Sequence, residues 1–167
     1  MTETMLTKAL VDAFLDHIQE DRGLAAGTVY RYRQLLAQAL KQGVELEYES
    51  LSYFVNYKCS GERCAPTTRN WRLMIFQSLG EFLLKRGHLT ADPTAEIRLA
   101  EVPRKVQKAP TIADVVRLLA TLSEEPETWL RLRDETLIKI FFYTGIRVNE
   151  AHRLDIDHLN IERRALE

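Results

Sequence analysis

The chain has 167 residues, enough for one domain or two small ones. Its 46% hydrophobic and 28% charged residues are typical of a folded globular chain and exclude a disordered one. No apolar run approaches the roughly 18 residues that span a membrane, and no secretory signal pattern is present, so we expect a cytoplasmic protein without a membrane partner. The net charge of −1 does not by itself indicate a polyanionic partner, for which clustering of cations matters more than their sum.

Apolar residues recur at helical spacing through the first hundred residues. They predict a first helix from about Thr7 to Asp21, closed by Gly23. A second helix ends at Gly43, with apolar and polar side chains on opposite faces, and a short third helix starts near Ser50.

The fourth predicted helix is apolar on most sides. It opens at Pro66, a residue suited to the first helical position, and runs to Gly87. This pattern predicts the central helix of a bundle, with Trp71, Phe76 and Phe82 in the core.

Two cysteines, Cys59 and Cys64, lie close together in the sequence. A zinc site needs two further ligands nearby, and the scattered histidines do not supply them. A local disulfide is disfavoured in a reducing cytoplasm. We therefore expect two reduced thiols, no metal site and no cofactor.

The segment 101–110 contains two prolines and three basic residues and reads as an interdomain linker. Thr111 and Asp114 then have the spacing of an N-terminal capping pair. Pro126 breaks the chain before an apolar helix that leads to Gly145. Further on, the alternation over Ile156–Ile161, followed by a turn at 162–164, predicts the first half of a β-hairpin.

Cations cluster although the net charge is near zero. Segregated charge of this kind permits a basic face on a neutral protein. The clusters are Arg31 with Arg33; Lys58, Arg63, Arg69 and Arg72; and Arg104, Lys105 and Lys108.

The segment Thr144-Gly145-Ile146-Arg147-Val148-Asn149-Glu150 follows the apolar helix of Leu137–Tyr143. A glycine that ends one helix, with an arginine and a glutamate opening the next turn, resembles the first catalytic box of the tyrosine recombinases, the phage integrase family. The likeness extends along most of the chain. Residues 10–100 resemble the core-binding domain of that family, with Ala25-Ala26 where the family often has a Ser-Pro cap, and residues 107–167 resemble the start of its catalytic domain.

The resemblance implies a mainly α fold in three parts. Residues 1–100 are expected to form a SAM-like, four- to five-helix core-binding domain that binds DNA. A basic linker, 101–110, is expected to lead into the N-terminal part of an α+β catalytic domain, 111–167, which is truncated at Glu167.

The resemblance also assigns roles to single residues. Arg147 is expected to bind the scissile phosphate, and Glu150 to brace its guanidinium. The family's lysine hairpin, His-x-x-Arg pair and tyrosine nucleophile have no counterpart here, so the chain alone is expected to be inactive. The residues expected to contact double-stranded DNA are Thr28, Arg31, Gln34, Arg69, Arg72, Arg104 and Lys105.

Full-length members of the family act as tetramers on paired sites, whereas we expect this chain to be a monomer, or to self-associate weakly on DNA. Two other interpretations stay open. One is a natural short regulator that binds the site without cutting it, because Glu167 can be a true terminus. The other is a helical protein-interaction module with no DNA role, which the neutral net charge favours.

Overall fold

The computed structural model describes residues 5–104, 108–122, 128–160, 163 and 165–166. It is mainly α-helical, as the sequence predicts, and divides into two compact units, Met1–Arg104 (unit 1) and Lys105–Glu167 (unit 2). The division falls inside the segment predicted to be a linker; the functional assignment of each unit stays a prediction.

Unit 1 is built from helices whose ends follow local signals in the sequence. The hydroxyl of Thr7 accepts a hydrogen bond from the backbone N–H of Leu10 and so caps the first helix. Gly23 and Gly87 have φ of 61° and 75°, the left-handed conformation that commonly follows a helix and that glycine adopts without strain. The helices are α1 (Lys8–Glu20), α2 (Ala26–Lys41), α3 (Tyr48–Asn56) and α4 (Pro66–Lys85).

A single apolar core holds these helices together. Phe14 of α1, Leu36 of α2, Leu51 of α3 and Phe76 of α4 are all within 1% of complete burial. The prediction that Phe76 and Phe82 are core residues is confirmed, since Phe82 is 5% exposed. The same prediction is wrong for Trp71, which is 36% exposed because it lies on the outer side of α4.

The chain after α4 packs back against that helix. A carboxylate oxygen of Asp92 accepts hydrogen bonds from the backbone N–H and the hydroxyl of Thr94, at 2.8 and 2.7 Å. A Cβ atom at Gly80, in the middle of α4, would lie 3.0 Å from the same oxygen. Glycine at this position therefore lets the turn approach α4 closely, and the turn brings Ile97 into the core.

Unit 2 contains shorter elements. The predicted capping pair is confirmed, because Thr111 accepts from the N–H of Asp114 while the Asp114 carboxylate accepts from the N–H of Thr111. The predicted break at Pro126 lies outside the described residues. The elements are α5 (Ile112–Thr121), α6 (Thr128–Thr144), α7 (Val148–Ala151), a 3-10 helix (Ile156–His158), β1 (Leu159–Asn160) and β2 (Ala165–Leu166).

The expectation of half a β-hairpin is wrong. Both strands are present and pair in an antiparallel manner, with Leu159 opposite Leu166. Residues 156–158 form a helical turn rather than a strand, because Asp155 accepts from the N–H of Ile156 and donates its own N–H to the His158 ring. These local hydrogen bonds prevail over the alternating pattern.

None of residues 108–122, 128–160 and 163 is buried. The apolar end of α6 is partly open, with Phe142 37% and Tyr143 79% exposed. Of the helices that the structure describes, none combines the length and the apolar character needed to cross a membrane.

Candidate nucleic-acid interface

Thr28, Arg31 and Gln34 lie on one exposed side of α2, at intervals of three residues. The neighbouring Arg33 points elsewhere, since its guanidinium approaches the carboxylate of Asp12 in α1 at 4.0 Å. Of the two arginines that the sequence groups together, Arg31 is therefore the one on the Thr28 side of the helix.

The same side of α2 continues into the loop between α3 and α4. The thiol of Cys59 accepts hydrogen bonds from the side-chain amides of Gln38 and Gln42, at 3.1 and 3.0 Å. The loop is a tight hairpin in which Tyr57 and Arg63 pair as an antiparallel bridge. Both cysteines are free, as predicted. We call the exposed side of α2 from Thr28 to Gln42, together with residues 58–63, the polar band.

Two cations extend from this loop. The ammonium group of Lys58 lies 2.8 Å from the carboxylate of Glu62, and this pair raises the pKa of the lysine and lowers that of the glutamate. The guanidinium of Arg63 lies over the ring of Tyr57, 5.9 Å from its centroid. Lys58, Glu62 and Arg63 are exposed to solvent, whereas the Tyr57 ring is half-buried. Charge contacts at the surface are weak and are screened by salt.

Arg69 stands at the base of the loop and is half-buried. Its Nε donates to Oδ1 of Asn56 at 2.6 Å, and its Nη1 donates to Oδ1 of Asn70 at 3.3 Å. Asn56 is itself held by donation to the carbonyl of Ser52. The guanidinium is thus oriented by two asparagines that the sequence patterns did not single out.

Arg72 is in a different environment from the one expected of a DNA contact. It is 7% exposed, and its Nη1 donates to the carbonyls of Phe54 and Tyr57 at 2.6 and 2.8 Å. Its guanidinium also lies over the Phe54 ring, 4.9 Å from the centroid. In this structure the arginine satisfies carbonyls at the C-terminal end of α3, which lack helical partners, and it is not presented to solvent.

At the end of unit 1, Arg104 is exposed, whereas Lys105 lies outside the described residues. The segment just before Arg104 is attached to α4, because the side chain of Asn70 in that helix is hydrogen-bonded to the backbone of Ala100. The sequence did not indicate this asparagine, because its partner is 30 positions away and is a backbone group.

In unit 2, Arg147 and Glu150 hold each other in the turn that opens α7. The Glu150 carboxylate accepts from the backbone N–H of Arg147 at 2.8 Å and from its guanidinium at 3.1 Å. The pKa of Glu150 is lowered mainly by the backbone hydrogen bond and to a smaller extent by the guanidinium. Gly145, with φ of 67°, turns the chain between α6 and α7.

The guanidinium of Arg147 is open to solvent. Its side chain is 84% exposed, compared with 50% for Glu150. A guanidinium carries several N–H donors in one plane, and within the described residues those of Arg147 are hydrogen-bonded to Glu150 alone. The remaining donors are available to an anion with two or more oxygens.

Most of this chain is similar in sequence to tyrosine recombinases. It is 31% identical to tyrosine recombinase XerC of Xanthomonas campestris pv. campestris (strain B100), over 93% of this chain and 50% of that protein. It is 30% identical to XerC of Roseiflexus castenholzii, over 92% of this chain and 51% of the relative. For tyrosine recombinase XerD of Vibrio cholerae the identity is 27%, over 93% and 53%. Over the length that it spans, this similarity supports the resemblance of the chain to the tyrosine recombinase family.

The fold agrees with this family. Two crystal structures of a lambda integrase dimer bound to a COC′ core site superpose with TM-scores of 0.68 and 0.69. They cover 94% and 95% of this chain at 19% and 18% sequence identity, and 56% and 44% of the integrase chains. No family model matches the chain. The chain spans about half the length of the curated recombinases that it matches.

Proposed function

We propose that this chain binds duplex DNA at a recombination half-site, as the N-terminal part of a site-specific tyrosine recombinase that acts in DNA integration and recombination. In this proposal unit 1 is the core-binding domain and unit 2 is the start of the catalytic domain, joined by the linker at 101–110. The observation that carries the proposal is the exposed guanidinium of Arg147, braced by Glu150, in a segment that resembles the family's first catalytic box. A cytoplasmic location and a monomeric state without DNA belong to the same proposal.

The chemistry assigned to Arg147 follows from its geometry. Attack on a phosphodiester increases the negative charge on the non-bridging oxygens, and a planar guanidinium hydrogen-bonds two of them at once. Glu150 keeps the guanidinium in place through the backbone and the side chain of the same arginine. We propose that Arg147 is the phosphate ligand, that Glu150 is its positioning residue, and that this chain by itself binds DNA without cleaving it.

The polar band supplies the contacts to the duplex in this proposal. Thr28, Arg31 and Gln34 are exposed together on α2, and arginine and glutamine side chains bind both phosphates and base edges in the major groove. Arg69 lies at the base of the same loop, where Asn56 orients its guanidinium, and it binds a phosphate in this proposal. Arg104 and Lys105, in the linker, contact the DNA backbone. Arg72 does not contact DNA in this proposal; it supports the interface by holding the C-terminal end of α3.

The test is the affinity of the full chain for duplex DNA as a function of salt. Since each neutralised phosphate adds about −0.9 to the log–log slope, binding through the polar band and the linker gives a slope of about −3 or steeper. Arg31→Ala is expected to weaken binding more than Arg147→Ala does, because Arg147 acts mainly in an assembled active site. Arg33→Ala is the matched control, since Arg33 faces Asp12.

Absence of binding at low salt would exclude the DNA proposal and leave the interaction module as the better interpretation. A larger loss from Arg33→Ala than from Arg31→Ala would place the duplex on a different face of unit 1.

A further inference from the structure

The side chain of Asn70 is hydrogen-bonded to one backbone position far along the chain. Its Nδ2 donates to the carbonyl of Ala100 at 2.8 Å, and its Oδ1 accepts from the N–H of Ala100 at 2.7 Å. A single amide thus satisfies both polar groups of a residue 30 positions away, as a neighbouring strand would do.

The segment that Asn70 holds has little else to fix it. Ile97 is the last buried residue of unit 1, and residues 98–104 form neither helix nor strand. Leu99 and Val102 are 60% and 45% exposed. Within the described residues, the hydrogen bonds that tie 98–104 to the rest of unit 1 are both made by Asn70.

We propose that Asn70 is a positioning residue that directs the linker along the duplex, so that Arg104 meets a DNA phosphate. This inference rests on the DNA-binding function proposed above and adds the residue that aims the linker. Arg104 is four residues from the anchored Ala100, which keeps its Cα within about 14 Å of that point even when the chain is extended.

Loss of the anchor lengthens the free segment. The next fixed residue is Ile97, seven residues before Arg104, so the reach grows to about 25 Å. Because effective concentration falls with about the −3/2 power of tether length, the local concentration of Arg104 at its phosphate drops about twofold from length alone. Without the anchor the segment also has no fixed direction along the duplex, which lowers the local concentration of Arg104 further.

Asn70 has a second route to the DNA. Its Oδ1 also accepts from Nη1 of Arg69, at 3.3 Å. A change at Asn70 therefore affects DNA binding either through Arg104 or through Arg69. The two routes are separable, because each predicts non-additivity with a different arginine.

The experiment uses the full chain and a labelled random-sequence duplex of about 30 base pairs, roughly three helical turns. Dissociation constants and salt slopes are measured for the wild type, Asn70→Ala, Arg104→Ala and the double variant. We expect each single variant to bind about two- to threefold more weakly and to lose about 0.9 from the magnitude of the slope, the value of one phosphate contact. The double variant is expected to bind no more weakly than the weaker of the two singles.

Two controls separate positioning from a general loss of structure. Gln77→Ala removes a half-buried amide from the same helix and is expected to leave affinity and slope unchanged. Ala100→Pro removes the N–H that donates to Asn70 without altering α4, and it is expected to reproduce the loss of slope. It serves in place of Asn70→Ala if that variant does not fold.

Additive losses from Asn70→Ala and Arg104→Ala would overturn the inference, and so would non-additivity with Arg69→Ala in place of Arg104→Ala. If the wild type binds DNA and Asn70→Ala retains its full slope, only the role of Asn70 fails. If the wild type does not bind at low salt, the proposed function fails with it.

Discussion

Arg69 and Arg72 are neighbours on α4, yet their side chains have different environments. Arg69 is oriented by two asparagine side chains, whereas Arg72 donates to two backbone carbonyls at the end of α3. The last carbonyls of a helix lack partners in the helix itself, and a cation is favourable at that end. The position of each arginine on the helix therefore decides whether its charge is available to a ligand.

Arg72→Ala is expected to destabilise unit 1 by about 2–4 kcal/mol, because two carbonyls lose their donor and the Phe54 ring loses a packing partner. Arg31→Ala is expected to leave stability within about 0.5 kcal/mol, because Arg31 is exposed. Urea unfolding of both variants measures the difference.

The same pair of variants gives opposite results in DNA binding. Arg31→Ala lowers the salt slope, whereas Arg72→Ala leaves it unchanged under conditions in which the variant is folded. A stable Arg72→Ala protein with a reduced slope would show that Arg72 meets phosphate directly.

The carboxylate of Glu150 reports on the turn at Arg147. Its pKa lies below the ordinary value of 4.5, chiefly because the backbone N–H of Arg147 donates to it and secondly because the guanidinium does. A depressed folded pKa contributes stability that is present above the unfolded pKa and is lost as the pH falls through the folded one. The turn that opens α7 should therefore loosen only in acid below pH 4.5.

In Arg147→Ala the pKa of Glu150 is expected to rise but to stay below 4.5, because the backbone donor remains. Titration of the Glu150 carboxyl carbon by NMR measures the shift, and Glu135, which pairs with Lys139, is the internal control. A return of Glu150 to its full ordinary value would mean that the guanidinium alone depresses the pKa.

At the level of elements, helix starts differ in how they are capped. Thr7 and Thr111 accept hydrogen bonds from the first turns of α1 and α5. Ala25, at the start of α2, has no side-chain acceptor, as the comparison with the family's Ser-Pro cap leads one to expect. The helix that carries Thr28, Arg31 and Gln34 thus begins without a side-chain cap.

Ala25→Ser is expected to stabilise unit 1 by about 1 kcal/mol, since serine at this position accepts from an N–H of the first turn. In a unit of this size that is a rise of about 4–8 °C in Tm. Thermal unfolding measures it, and Ala26→Ser, one residue inside the helix, is the control and is expected to destabilise slightly. Equal effects of the two substitutions would rule out capping.

At the level of the whole molecule, local signals predicted the fold well and distant contacts could not be predicted. Pro66, Gly87 and the Thr111–Asp114 pair mark helix ends because a cap or a turn depends on a few adjacent residues. Helical spacing also indicates that Arg72 is buried, because it places this residue on one face with Ile75, Phe76 and Leu79. Because of its charge, Arg72 was instead assigned to the basic cluster. The same spacing puts Trp71 on the exposed side with Met74.

The hydrogen bonds of Asn70 and Arg69 had no such signal. Asn70 binds the backbone of Ala100, and any residue at position 100 other than proline presents the same N–H and carbonyl. Side-chain contacts to a distant backbone leave no pattern in residue type or spacing. Asn56 and Asn70, which orient Arg69 and the segment before Arg104, are therefore visible only in the structure. Arg31, Arg147 and its partner Glu150 were predicted from the sequence.

Among the residues whose exposure the structure describes, the buried ones all lie between Leu6 and Ile97, so the two units should differ in stability. Amides of α1–α4 are expected to exchange with solvent slowly, and those of α5 and α6 faster, because local opening there exposes little additional apolar surface. Hydrogen exchange read by mass spectrometry, peptide by peptide, measures both. A dye that binds apolar surface should bind the full chain more than residues 1–104 alone, since α5 and α6 line an apolar groove of about 330 Å³.

Two core substitutions test whether the units unfold separately. Phe14→Ala removes a fully buried ring, which typically costs about 3–5 kcal/mol, and it should speed exchange across α1–α4 while leaving α6 unchanged. Phe142→Ala changes a ring that is 37% exposed in α6, and it should leave the exchange of α1–α4 unchanged. Slow exchange across both units, accelerated together by either substitution, would mean that a single cooperative core spans the chain. The segment around Arg147 would then be as stable against local unfolding as the polar band.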